Sequence, residues 1–201
     1  MAIDPLESVA SAEPDESVFS EFRKLNQCVA ITVALLATFM GICKVKDDNI
    51  VQSMQQAQAN KIDHWNFYQA RNIREEVAKG TLLQLRLATP AQPASERPHY
   101  QQAITQYEQL VAEQAKKKDE LKTQAEQDQK DYDAANFRDD QFDLADALLA
   151  IAISVLAVTA LTHFWWLYFI ALVPTGFGVL MGLSGLAGWG IHPDALIRLL
   201  S

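Results

Sequence analysis

"LNQCVAITVALLATFMGICKV", residues 25–45, decides the fold of this chain, because the polar sequence that follows it contains nothing that ends a helix. About 20 consecutive apolar residues match a hydrocarbon core of roughly 30 Å. Arg23 and Lys24 precede the run and Lys44 and Lys46 follow it, where basic side chains can reach lipid headgroups. A transmembrane helix over residues 23–45 is predicted. From Lys44 onward the first glycine is Gly80 and the first proline Pro90, and good helix formers dominate the interval. Apolar residues recur at Val51, Met54, Ile62, Trp65, Ile73 and Val77, mostly in steps of three and four. The first span therefore continues as a polar helix.

That helix should end at "ATPAQPASERP", where Pro90, Pro93 and Pro98 mark a turn over residues 89–98. A second polar helix is predicted from about His99 towards Phe137, with Tyr100, Ile104, Tyr107, Val111, Leu121 and Ala125 on one heptad-like stripe. Two such helices joined by a short turn should pack antiparallel, as a coiled-coil-like hairpin over residues 46–140. The second helix meets no breaker before "FDLADALLAIAISVLAVTAL", so it should run on as a second span over residues 141–162. After "THFWWLYF", whose aromatic residues suit a water–lipid boundary, a third span is predicted over residues 166–187. Residues 1–22 read as an acidic mobile tail without the basic start of a signal peptide, and residues 188–201 as a short interfacial tail. The fold class is all-α, an integral membrane protein of three transmembrane helices with a long helical hairpin between the first two.

Over 201 residues the formal charge is −8, which argues against nucleic acid, since phosphate neutralisation needs Lys and Arg in excess. Cys28 and Cys43 lie about 22 Å apart along one helix and cannot pair within a copy, leaving burial or a bond between copies. His64, His99, His163 and His192 are scattered without metal spacing. No phosphate loop, nucleophile elbow or Ser-His-Asp signal is present, so no catalytic residue, cofactor or metal is expected.

Two elements bear a family likeness: "WNFYQARNIRE" on a polar helix after one span, and "FDLADALLAIAISVLAVTAL" opening a two-span C-terminal hairpin. The chain resembles the bacterial membrane proteins grouped as domain of unknown function 4337. The family's aromatic–amide–basic element maps onto Trp65, Tyr68, Gln69, Ala70, Arg71, Ile73 and Arg74, and its acidic-aromatic approach to the second span onto Phe142, Asp143 and Ala145. The resemblance implies a multi-pass protein of the bacterial inner membrane and no chemistry. Only His163 stands in the last corner, where family members often carry basic residues.

Three constellations merit attention. On a helix, Trp65, Tyr68, Gln69 and Ile73 fall on nearly one face, either as the best-packed layer of the hairpin or as a partner-binding face that also uses Arg71 and Arg74. In the packed reading Arg71, Arg74, Glu75 and Glu76 form the wet face. Asp139, Asp143 and Asp146 recur at i, i+4 and i+7 where the second span begins, so in an oligomer they could ring a pore and attract cations. Gly178, Gly182 and Gly185 allow close approach of another helix, from the same copy or a neighbouring one. Arg23 and Lys24 favour a cytoplasmic N-terminus while Lys44, Lys46 and Arg138 oppose it; the resemblance tips the choice to cytoplasmic. The functional expectation is a non-enzymatic, oligomeric membrane scaffold or interaction module, in contact with lipids, further copies of itself and other membrane proteins. The alternative is an oligomeric channel or transport component with an acidic ring at its mouth.

Overall fold

A computed structural model describes residues 16–191. Three helices account for nearly all of them: α1 Glu16–Ala88, α2 Arg97–Thr162 and α3 Trp165–Ala187, with one 3-10 turn, Thr89–Ala91, between α1 and α2. The described residues contain no strand. α1 begins at Glu16, so residues 16–22 belong to a helix where a tail was expected. Residues 1–15 of that tail, and residues 192–201 of the C-terminal one, lie outside the described part. All three helices contain a stretch long and apolar enough to cross a membrane.

Each break has a local cause. Pro90 lies in the first positions of the 3-10 turn, where its missing N–H is not needed. Arg97 then reaches back, its Nε donating to the Gln92 carbonyl at 3.1 Å. α2 ends where His163 takes a left-handed φ of 57° and its N–H returns to the Thr159 carbonyl at 2.9 Å. The His163 ring stacks on Phe22 with centroids 4.5 Å apart, and this contact helps hold a conformation that residues with a Cβ rarely adopt. α3 ends at Gly188, φ 70°, with the Trp189 N–H returning to the Ser184 carbonyl at 2.9 Å.

The chain forms two compact units, one comprising residues up to Ile50 together with those from Phe137 onward, the other Val51–Asn136. In the first unit Leu25, Val29, Leu36, Leu149, Ala152, Leu156 and Ala171 form a buried core drawn from all three helices. The glycines of α3 show how closely these helices pack. A Cβ on Gly178 would lie 2.8 Å from Leu149, one on Gly182 2.7 Å from the Phe39 ring, and one on Gly185 2.8 Å from Phe142. All three small residues thus receive side chains of α1 or α2 of the same copy, which fixes the neighbour that the sequence left open.

In the second unit the buried positions follow steps of three and four, and several of them are polar. Along α1, Met54, Ala57, Glu75, Ala78 and Leu82 are buried, and Lys61, His64, Tyr68 and Arg71 between them are half-buried. These nine positions alternate in steps of three and four throughout. Along α2, Ile104, Gln114 and Ala125 are buried on the same stripe as half-buried Tyr107, Val111, Lys118, Leu121 and Asp128. Polar partners join the two segments: Lys61 with Gln129, His64 with Asp128, Arg71 with Gln114, and Arg86 with Glu108. Partner numbers fall as those on α1 rise.

Candidate functional site: a polar-centred seam and an acidic cluster

The six residues expected to form one face are divided between two. Trp65 and Tyr68 are half-buried and meet edge to face, with ring centroids 5.3 Å apart. Arg71, expected on the wet face, is half-buried and donates through Nη1 to Gln114 Oε1 at 3.0 Å. Gln69, Ile73 and Arg74 are exposed, and Ile73 shows 63% of its surface. The expected packed layer of Trp65, Tyr68, Gln69 and Ile73 is therefore not what forms. Buried positions follow the heptad through Tyr68, Arg71 and Glu75, and Ile73 lies on the opposite side of the helix.

Glu75, also expected to be wet, is the electrostatic centre of the seam. It is 4% exposed; Lys118 reaches one carboxylate oxygen at 2.7 Å and Lys79 the other at 2.7 Å. The hydrogen bond from Lys118, with that from Lys79, holds the Glu75 carboxyl below its ordinary range. Lys118 also donates to Asn72 at 3.4 Å. Three seam positions away, His64 Nδ1 and Asp128 Oδ2 lie 2.6 Å apart. A groove of about 310 Å³ opens beside this seam, lined chiefly by Ile73, Val77, Tyr107 and Leu110, with Arg74 and Gln114 at its margins.

The acidic cluster lies in the first unit and is larger than the sequence indicated. Asp139 and Asp146 are half-buried and Asp143 is exposed. Asp47 of α1, 3% exposed, joins them. Its Oδ2 accepts from Lys44 Nζ at 2.7 Å, and its carboxyl shares a hydrogen bond with that of Asp139. Burial, followed by this shared hydrogen bond and the nearby Asp143 charge, pushes Asp139 up to about 6. Lys44 and Asp47 also act electrostatically on Asp143 and Asp146. Asp47 escaped sequence reasoning because it stands in an unremarkable "KDDN"; the helical offset from Lys44 was the available signal. Among the described residues no group of three or more His, Cys, Asp or Glu side chains is arranged to hold a metal ion.

Gln141 connects the start of this region to the end of α3. Wholly buried, it donates from Nε2 to the Trp189 carbonyl at 2.8 Å and the Ile191 carbonyl at 2.6 Å, with Ser184 Oγ 3.1 Å away. These carbonyls follow the last turn of a helix and need donors.

With this geometry in view, a family model described as Domain of unknown function (DUF4337) matches residues 25–188. The chain belongs to this family. The DUF4337 match takes in both compact units, the Trp65–Arg74 element and the acidic cluster. No curated protein and no solved structure matches the chain.

Proposed function

We propose that this DUF4337 chain is a non-enzymatic integral membrane protein that works as an oligomeric scaffold or interaction module. In this reading the apolar stretches of α1, α2 and α3 cross the membrane, and residues 46–140 form a coiled-coil-like helical hairpin that offers the binding surface. One observation carries it. The second unit directs Lys61, His64, Arg71 and Glu75 into its seam and leaves Ile62, Ile73, Val77 and Leu87 at 54–72% exposure on the outside. A helix pair that conceals charges and displays aliphatic side chains is built for contact with something further. The membrane proposed is a bacterial inner membrane with the N-terminus cytoplasmic. Nucleic acid has no part in this reading, and no cofactor is called for. Mass measurement of the detergent-solubilised particle tests it: two or more copies are expected, and a strict monomer at native concentration overturns it.

The acidic cluster favours one second reading, a cation or proton pathway. Lys44 pairs with Asp47 and acts on Asp143 and Asp146, and Asp139 adjoins Asp47 and Asp143. Reconstituted bilayers distinguish the two, because a conductance abolished by Asp146→Ala belongs to transport and not to a scaffold.

A further inference from the structure

Four of the exposed aliphatic side chains of α1 in the second unit share one line, while exposed Phe67 and Leu83 lie off it. Ile62, Asn66, Gln69, Ile73, Val77, Gly80, Gln84 and Leu87 all lie within about 40° of one line along the helix at 100° per residue. That line faces away from the buried heptad. Ile62, Ile73, Val77 and Leu87 are 54%, 63%, 64% and 72% exposed.

We infer that a second copy of this chain covers this face, as a parallel, two-fold pairing of α1 with α1 over residues 62–87. The inference deepens the scaffold reading and rests on it. α1 runs unbroken from its apolar segment into this stretch, so copies inserted in one membrane present it in the same chain direction. A parallel two-fold contact places each residue opposite its own equivalent, with one rim of the seam against the other rim of the partner. Arg74 stands on one rim and Glu76 on the other. Arg74 therefore comes level with Glu76 of the second copy, and this pair forms twice. Like charges are not brought level along the seam. Asn66 and Gln69 each meet their own equivalent beside the apolar layers, and amides so placed help select register. The groove beside Ile73 and Val77 widens the apolar area that the second copy covers.

Cysteine cross-linking in native membranes tests this, with full-length protein in which Cys28 and Cys43 are replaced by alanine. Under mild oxidation Ile73→Cys should give a disulfide-linked dimer, and exposed Thr105→Cys on α2 should not. Arg74→Glu should reduce the Ile73→Cys product roughly tenfold, and adding Glu76→Arg should restore it. Equal cross-linking at both positions, no effect of Arg74→Glu, failure of the exchange to restore the dimer, or linkage to a different protein would each overturn the pairing. A particle of several copies without the Ile73→Cys product sinks this inference alone; a monomeric particle sinks the scaffold reading as well.

Discussion

Glu75 Oε2 and Lys118 Nζ form an ion pair at 2.7 Å across the second unit, with a carboxylate that is 4% exposed. A heptad position normally filled by an aliphatic side chain here holds an anion between two ammonium groups, with Lys79 on its other oxygen. Removing one partner of such a set leaves the rest buried without compensation, whereas replacing both by apolar groups can be neutral or better. Glu75→Ala should lower the unfolding temperature of the second unit by roughly 5 °C or more, and Glu75→Leu with Lys118→Leu should recover most of it. Thermal circular dichroism of the purified protein reads both.

The same carboxylate fixes a pH response. Its folded-state pKa is depressed by Lys118 and Lys79, so its contribution is complete above the ordinary glutamate range and is lost as pH falls through the lower folded value. Asp139 acts in the opposite sense. Its folded pKa is raised to about 6, so the folded form holds the proton more tightly, and stability in the first unit rises as pH drops from above 6 towards 4. Asp139→Asn should remove that rise and make the first unit more heat-resistant at pH 7.5 than the parent chain. Tm measured against pH for the two proteins provides the check; parallel curves would contradict it.

Packing at the α3 glycines predicts a contrast within one helix. Gly182→Ala puts a methyl group 2.7 Å from the Phe39 ring and should cost about 1–3 kcal/mol. Gly176→Ala meets nothing within 4 Å and should be neutral or slightly stabilising. Thermal stability in detergent, compared side by side, decides between them.

Gln141 offers a fourth test. Its amide donates to two carbonyls beyond the end of α3, so Gln141→Glu replaces a donor by an acceptor facing acceptors. Cleavage by a protease after residue 187 should become faster in the Gln141→Glu protein and stay slow in the parent. Equal rates would mean that the carbonyls are served elsewhere.

The three long helices were legible because long apolar runs, and polar stretches free of breakers, are visible in composition alone. The α2 stripe through Tyr100, Ile104, Tyr107, Val111, Leu121 and Ala125 was equally plain, since apolar residues mark it. The α1 stripe was misread for the converse reason. Following apolar residues led to Ile62, Ile73 and Val77, whereas the buried line passes through His64, Arg71 and Glu75. Only strict three–four spacing, taken without regard to polarity and matched to Asp128, Gln114 and Lys118 on α2, would have revealed it. Asp139, Asp143 and Asp146 were found from their spacing on one helix; Asp47 required the contact between α1 and α2. No local pattern in α3 could say what fills the space beside Gly182, because Phe39 lies far away in sequence.

The most direct test of three crossings is labelling of single cysteines by a membrane-impermeant maleimide, applied from each side of sealed vesicles lacking Cys28 and Cys43. Ala94→Cys in the α1–α2 connection and His163→Cys in the α2–α3 corner should react from opposite faces. Reaction of both from the same face, or release of the protein from the vesicles without detergent, would contradict the membrane architecture on which the proposed function depends.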